Sequence, residues 1–342
     1  MSVFLDACKL KKTEYTPVWF MRQAGRYLPE YRKLKGETNI MDLFRQPEIC
    51  SEITVLPVRK LGVDAAILFA DIMLPLQAIG VKLKIEEEKG PIILNPIQNL
   101  DDIDLLGDLS PEEHLDFLWR SIELTVEKLD EIPLIGFSGA PFTLASYLLE
   151  GRSTRDFVKT KMVMFGQDDI WDKLMVKLST MIEKYLITQI KYGVKAVQLF
   201  DSWAGCLSRE DYEKYVLKYT RRIFDSLQGY NIPRIIFCAE SSHLIEALRS
   251  SGADVISVDW RVPINDVWRR CGKSVAVQGN LDPSLAVTGG DIMRRRTLQI
   301  LERARENNGH IFNLGHGVLR TTPVENLKEV TDLVHNNTRQ RK

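Results

Sequence analysis

The chain has 342 residues, of which 44% are hydrophobic and 27% are charged, and these are ordinary values for a globular protein. They exclude intrinsic disorder, a collagen-like repeat and an integral membrane protein. The 46 basic residues balance the 46 acidic ones. A general polyanion binder would carry a basic excess, so we expect no nucleic-acid partner.

Targeting and metal-binding patterns are also missing from the sequence. No apolar run reaches the roughly 18 residues that span a bilayer, and the N-terminus lacks the charged and apolar regions of a signal peptide. The five cysteines are scattered, without the short spacing of a zinc site. We therefore expect a cytoplasmic protein with free thiols, no membrane segment and no bound metal.

Short apolar runs alternate with segments of helical periodicity along the chain. In chain order the predicted elements are strands at 17–20 and 65–69, a helix at 111–129, a strand at 134–137, a helix at 170–192, a strand at 196–200, a helix at 209–228, strands at 235–238, 255–258 and 275–278, a helix at 291–307, and a strand at 311–314. Ser110 and Ser208 are predicted N-caps, because each precedes acidic residues. Residues 85–90 are predicted to be a charged surface loop, and residues 336–342 a frayed tail.

The eight predicted strands are continuously apolar, as parallel strands covered on both faces are. Strands that alternate with helices predict an α/β fold, and the count of eight favours a single TIM-type (β/α)₈ barrel over residues 1–342. An open doubly wound sheet is the alternative. It receives no support from nucleotide-binding motifs, because neither a GxGxxG nor a P-loop pattern is present.

Catalytic residues of such barrels lie at the C-terminal ends of the strands. Arg22 and Arg26 follow the first apolar run, and the planar arginine fork suits carboxylates. Asp71 follows the second run, where a carboxylate is costly unless partners satisfy it. His316 stands between two glycines after the eighth run. The pattern predicts electrostatic or acid–base chemistry on a small anion, although surface ion pairs and a structural histidine would produce the same pattern.

A longer pattern around these residues is specific to one family. Residues 21–27 read Met-Arg-Gln-Ala-Gly-Arg-Tyr, and further motifs follow in order at 64–72, 136–143, 198–205, 278–283 and 313–317. Together they resemble the motifs of the uroporphyrinogen decarboxylase family over nearly the whole chain. The resemblance implies a (β/α)₈ barrel that forms a homodimer, needs no metal or organic cofactor, and converts uroporphyrinogen III to coproporphyrinogen III by removing CO₂ from four pyrrole acetates.

The resemblance also implies a set of site residues. Substrate binding is carried over to Arg22, Gln23, Ala24, Gly25, Arg26, Asp71, Tyr147, Ser202 and His316. Asp71, Arg22 and Arg26 are the residues that we expect to act in catalysis. One departure is Ile40, which stands where many members have a phenylalanine, so an aromatic wall of the pocket is expected to be lost or supplied from elsewhere.

The chemistry of the implied substrate fits these side chains. Direct loss of CO₂ would leave a carbanion, but protonating a pyrrole carbon first makes the ring an electron sink, so no cofactor is required. Arginines would hold the carboxylates, and Asp71 would accept pyrrole N–H bonds and stabilise the cationic ring. The proton donor stays open between Arg22, His316 and a bound water.

Two other functions remain open at this point. A corrinoid- or folate-linked methyltransferase of the same superfamily would need a zinc site, but Cys206, Cys238 and His243 have no closely spaced partners. A tetrapyrrole carrier would bind the macrocycle without releasing CO₂.

Overall fold

Seven parallel strands form one curled sheet in the computed structural model, which describes residues 2–86 and 90–339. The strands of the described chain are β1 Ala66–Ile67, β2 Leu83–Glu86, β3 Gly90–Ile93, β4 Leu134–Gly139, β5 Ala196–Phe200, β6 Arg234–Phe237, β7 Val255–Ser257, β8 Ala276–Gln278 and β9 His310–Ile311. The order in the sheet is β1-β4-β5-β6-β7-β8-β9, and every neighbouring pair is parallel. Strands β2 and β3 form a separate antiparallel hairpin.

The predicted strand at 17–20 closes the sheet but is wrong as a regular strand. Val18 makes only an isolated parallel bridge with Phe312, next to β9. Its carbonyl accepts a hydrogen bond from the Asp64 N–H (2.8 Å), beside β1. The Val18 N–H donates to the Asp64 carboxylate (2.7 Å) rather than to a neighbouring strand, so regular pairing stops there. The closure confirms the predicted α/β barrel and excludes the open sheet.

Helices flank the strands along the chain. They are α1 Val3–Cys8, α2 Pro29–Lys35, α3 Ile40–Phe44, α4 Pro47–Leu61, α5 Leu74–Ala78, α6 Leu100–Asp104, α7 Pro111–His114, α8 Asp116–Leu129, α9 Pro141–Glu150, α10 Val158–Gly166, α11 Asp168–Lys191, α12 Arg209–Tyr215, α13 Leu217–Ser226, α14 Ile245–Arg249, α15 Ile264–Cys271, α16 Pro283–Thr288, α17 Gly290–Ala304 and α18 Val324–Thr338, with 3₁₀ turns at Ala204–Cys206 and Gln228–Tyr230.

Two predicted helices are each broken into two. The helix at 111–129 breaks at Leu115, and the helix at 209–228 breaks at Val216, both with non-helical backbone angles. The side chains of Leu115 and Val216 are both buried, so each break directs an apolar side chain toward the core. Ser208 caps its helix as predicted, by accepting from the Asp211 N–H, whereas Ser110 makes no cap hydrogen bond.

The predictions for the charged loop and the tail need correction. Residues 85, 86 and 90 belong to the β2–β3 hairpin rather than to a loop, and residues 87–89 lie outside the described residues. Helix α18 continues to Thr338, whose hydroxyl accepts from the Thr16 N–H (2.9 Å), so residues 336–338 are not frayed. Residues 340–342 of the predicted tail lie outside the described residues.

A buried polar chain crosses the inside of the barrel. The Trp19 Nε1–H donates to Gln278 Oε1 on β8 (2.7 Å), and Gln278 Nε2 donates to Gln198 Oε1 on β5 (3.1 Å) and to Ser257 Oγ on β7 (2.8 Å). Buried amides are stabilised by hydrogen bonds of this kind. Because these bonds link residue 19 and strands β5, β7 and β8, the hydrogen-bond network connects opposite sides of the barrel.

Candidate active site

A cavity of about 270 Å³ opens at the C-terminal ends of the strands. Six of the predicted site residues line it, namely Arg22, Ala24, Asp71, Tyr147, Ser202 and His316. The other nine lining residues are apolar. A mostly apolar pocket with a few convergent polar groups is the usual form of a small-molecule site.

A larger groove of about 1120 Å³ lies elsewhere on the molecule. Its lining includes Lys12, Arg295 and His310, and His310 is the first residue of β9. The groove therefore opens near the N-terminal ends of the strands, and no predicted site residue lines it. Catalysis in barrels takes place at the opposite face, so the smaller cavity is the candidate active site.

The loop after residue 20 is organised around the buried side chain of Gln23. The Phe20 N–H donates to Gln23 Oε1 (3.0 Å), and Gln23 Nε2 donates to the Ala65 carbonyl (3.0 Å). The Tyr27 hydroxyl donates to the Gln23 carbonyl (2.7 Å). Gln23 therefore points into the core and anchors the loop next to β1, instead of facing the cavity as the resemblance implied.

Arg22 leaves this loop toward the cavity. Its φ of 61° lies in the left-handed region, which is uncommon for residues other than glycine and concentrates at functional sites. The side chain is exposed and makes no hydrogen bond within the described part of the chain. An unpaired guanidinium at the edge of a small cavity is a ready binding group for a carboxylate.

Gly25 and Arg26 are not among the residues that line the cavity. Arg26 is half-buried, and its carbonyl accepts from Arg32 Nη1 (2.7 Å), which fixes the end of the loop. The structure thus brings Arg22 and Ala24 to the cavity and leaves Gly25 and Arg26 behind them.

Asp71 is the carboxylate of the cavity. Its Oδ1 accepts from the Met73 N–H (2.9 Å), and its side chain is half-buried. Burial raises the pKa of this carboxyl, while the Met73 N–H and the nearby charge of Arg22 oppose the rise. The anion is thus short of hydrogen-bond donors, and a ligand that brings N–H groups or positive charge would supply them.

Tyr147 and Ser202 also line the cavity. Tyr147 lies on α9, and its ring packs against Trp203 with ring centres 4.1 Å apart. Burial raises the pKa of the phenol, Asp71 adds to the rise, and Arg22 opposes it. Tyr147 is therefore a neutral hydroxyl donor near Ser202, which follows β5.

His316 contacts the edge of Phe237, with ring centres 5.8 Å apart. Burial lowers the pKa of the imidazole to about 4, and the charge of Arg22 acts in the same direction. The ring is therefore neutral near pH 7, where it can donate a hydrogen bond but holds no extra proton.

Asp201, the residue before Ser202 in the chain, is fully buried. Its Oδ1 accepts from the Thr143 hydroxyl (2.9 Å), while its Oδ2 has no partner among the described residues. Thr143 Oγ1 in turn accepts from the Trp203 N–H (3.4 Å). Burial raises the pKa of Asp201 to about 7, so the carboxyl titrates near neutrality.

The sequence analysis missed most of the apolar wall. Phe137 and Phe200 pack against each other edge-to-face, with ring centres 5.4 Å apart, and both line the cavity together with Phe69. All three end predicted apolar runs, so their position at strand ends was a usable signal. Pro91 comes from the hairpin, which no sequence signal indicated. Ile40 packs on the core without lining the cavity, so these phenylalanines supply the aromatic surface.

The described part of the chain shows neither a cluster of metal ligands nor a membrane-spanning helix. Within 2–86 and 90–339, no three His, Cys, Asp or Glu side chains come together as a metal site would require. No helix in that part of the chain combines the length and apolar character that crossing a bilayer demands.

Comparisons with known proteins agree with this geometry. The family model described as "Uroporphyrinogen decarboxylase" matches residues 1–337. The uroporphyrinogen decarboxylase of Bacillus subtilis is 45% identical over 339 residues, with 99% of this chain and 96% of that protein covered. The enzyme of Carboxydothermus hydrogenoformans is 43% identical over 333 residues, covering 97% and 95%.

A solved structure confirms the fold alone. A methyltransferase from Methanosarcina mazei superposes with a TM-score of 0.81 over 98% of this chain and 99% of that one, at 15% identity. Structural similarity at 15% identity does not show that two proteins share an activity, because many different enzymes have the same barrel fold. The resemblance of the motifs to one family is confirmed by the match over nearly the full length, and the chain belongs to the uroporphyrinogen decarboxylase family.

Proposed function

We propose that this chain removes CO₂ from the four acetate arms of uroporphyrinogen III and so produces coproporphyrinogen III. The observation that carries the proposal is that one mostly apolar cavity holds two charged groups, the guanidinium of Arg22, which makes no hydrogen bond to the described residues, and the half-buried carboxylate of Asp71. The substrate offers complementary groups to both, since it has carboxylate arms and pyrrole N–H donors. Family membership supports the same assignment.

Asp71 acts on the macrocycle. Pyrrole N–H groups donate to its carboxylate, whose one hydrogen bond within the described residues comes from the Met73 N–H. When a pyrrole carbon is protonated, the ring becomes cationic, and the fixed anion stabilises that charge in a cavity with little competing water. The ring then accepts the electron pair of the breaking C–C bond as CO₂ leaves, which makes an exocyclic methylene. That carbon takes a proton to become the methyl group, and the pyrrole carbon loses the proton it gained first, so each acetate consumes one proton in all. The ring thus regains its original electron count.

The carboxylate arms are held by the surrounding groups. Arg22 binds the reacting arm or its neighbour with its fork, while Tyr147, Ser202 and His316 donate neutral hydrogen bonds. Arg26 contributes from just outside the cavity. Gln23, Ala24 and Gly25 act through the loop, with Ala24 leaving room beside Arg22.

The pKa of His316 narrows the choice of proton donor. An imidazole with a pKa of about 4 carries no transferable proton at neutral pH in the free protein. Arg22, acting with a water molecule that it binds, is the better candidate for delivering the proton to the pyrrole carbon.

The decisive experiment is anaerobic incubation with uroporphyrinogen III, followed by oxidation and chromatographic counting of carboxyl groups. Products with seven, six, five and finally four carboxyl groups are expected. Tight binding with all eight carboxyl groups retained would identify a carrier instead and overturn the proposal.

Partners and location follow from the same family. We propose a homodimer in the cytoplasm, without nucleic-acid or membrane partners and without a cofactor. A sedimentation mass of twice 39.2 kDa is expected, and a single-chain mass at micromolar concentration would exclude the dimer.

Replacing the two arginines should weaken substrate binding. Arg22→Ala and Arg26→Ala each remove a charged hydrogen-bond donor, worth about 1.5–3 kcal/mol, so KM should rise roughly 10- to 150-fold. Lysine at either position should restore only part of the loss, because the fork is absent. Arg303→Ala, at an exposed site, is the matched control. Unchanged KM in both alanine variants would place the arginines outside the binding site.

Activity should survive exhaustive dialysis against a chelator. The reason is that the described residues contain no cluster of metal ligands, and the proposed chemistry uses the substrate as its own electron sink. The check is turnover before and after dialysis, with metal content measured on the same sample. Activity that is lost and then restored by zinc would favour the methyltransferase-like alternative.

A further inference from the structure

Gly317 touches the side chain of Arg22. A Cβ atom built on Gly317 would overlap Arg22 Cδ, and it would lie 2.9 Å from Cγ and 3.1 Å from Nε. Real Cβ atoms essentially never approach other atoms within 3.0 Å. Because Gly317 has no side chain, the methylene groups of Arg22 can occupy the space that a Cβ would fill.

The backbone of Gly317 does not itself demand glycine. Its φ is outside the left-handed region, unlike that of Gly279 or Gly289. Gly315 differs too, because a Cβ there would lie 2.6 Å from the backbone nitrogen of Trp260. At Gly317 the obstructed atoms belong to one side chain, so an alanine is compatible with the fold and specifically displaces Arg22.

Arg22 cannot adjust by moving its backbone. On one side, the Met21 N–H donates to Asn313 Oδ1 (3.1 Å), and the Met21 carbonyl accepts from the Val318 N–H (2.8 Å). On the other side, the buried Gln23 anchors the loop. Because the described residues make no hydrogen bond to the guanidinium, packing of the stem determines where the charge lies among them.

We propose that Gly317 is a positioning residue, which holds the Arg22 guanidinium at the cavity through the contact between its Cα and the arginine methylenes. The proposal rests on the function proposed above, in which Arg22 binds a substrate carboxylate. It also makes a claim about the free protein, namely where the charge of Arg22 lies.

The test compares Gly317→Ala in two backgrounds. In the wild-type background KM should rise at least about tenfold, while the melting temperature stays unchanged. In the Arg22→Ala background the same substitution should change KM less than about twofold, because residues that act through one contact are not additive. Gly166→Ala, where a Cβ meets nothing within 4 Å, is the control. Equal effects in both backgrounds would overturn the proposal.

A second measurement needs no substrate. Arg22, Asp259 and Arg261 are the charged groups that act on His316, and Arg22 lowers its pKa. An NMR titration of His316 should therefore show a higher pKa in Gly317→Ala, as in Arg22→Ala, and no further rise in the double variant. An unchanged or lower pKa in Gly317→Ala would contradict the positioning role, whether or not the decarboxylation assay succeeds.

Discussion

Asp71→Asn is expected to lower kcat by at least about 100-fold, equivalent to roughly 2.7 kcal/mol of transition-state stabilisation. Asparagine keeps the size and can still accept from the Met73 N–H. The substitution replaces the negative carboxylate by a neutral amide. The amide N–H groups are donors and would repel the pyrrole N–H donors. The fixed negative charge that offsets the cationic ring is then missing.

Stability separates this role from that of a structural aspartate. Because burial raises the pKa of Asp71, the charged form is costly in the free protein, and a neutral side chain should leave the melting temperature unchanged or higher. Asp71→Glu retains the charge about one methylene out of place, and it should keep more activity than the asparagine variant. Near-normal turnover in Asp71→Asn would disprove the electrostatic role, as would a lower melting temperature with normal kcat of the folded fraction.

Asp201→Asn is expected to change how the stability of the protein depends on pH. The pKa of Asp201 rises from 3.8 to about 7 on folding, so between these values the native carboxyl keeps a proton that the unfolded chain has lost. Stabilisation from this group is therefore complete below pH 4 and is lost as the pH rises to about 7. The loss is about 1.4 kcal/mol per pH unit, or about 4 kcal/mol in all.

Comparison of the two proteins isolates the contribution of this carboxyl. Denaturant unfolding at pH 4.5, 6 and 8 (chosen to bracket roughly the titration range) should show the asparagine variant gaining stability relative to wild type as the pH rises. Subtracting the wild-type free energy of unfolding from that of the variant cancels the contributions of other titrating groups. His310 is one of them: burial lowers its pKa to about 4, so its contribution to stability rises with pH, opposite to that of Asp201. Asp169→Asn, at an exposed position, is the matched control. Parallel pH profiles for Asp201→Asn and wild type would contradict the titration.

The polar residues of the site could be predicted from the sequence because a single structural rule applies to them. Parallel strands of a barrel end at the same face, so Arg22, Asp71, Ser202 and His316 could be predicted to converge from their places after apolar runs. Which arginine reaches the cavity was not predictable. Arg22 and Arg26 occupy equivalent positions in the motif, and the buried amide of Gln23 decides that Arg22 faces the cavity.

The positions of other groups depend on contacts between distant segments. Pro91 lines the cavity because it lies in the β2–β3 hairpin, which the charged sequence of that segment did not predict. The contact between Gly317 and Arg22 joins residues from opposite ends of the chain. Likewise, the first apolar run loses its regular pairing because the carboxylate of Asp64 takes the Val18 N–H.

The sequence by itself determined the barrel, its approximate strands and the family, because apolar periodicity and ordered motifs are local properties of the chain. Only the tertiary structure decided which side chains face the cavity, how Asp71, Asp201 and His316 titrate, and where Arg22 lies. Those properties arise from burial and from charges brought together across the fold, as when Arg22 of the first loop lowers the pKa of His316 near the chain's other end.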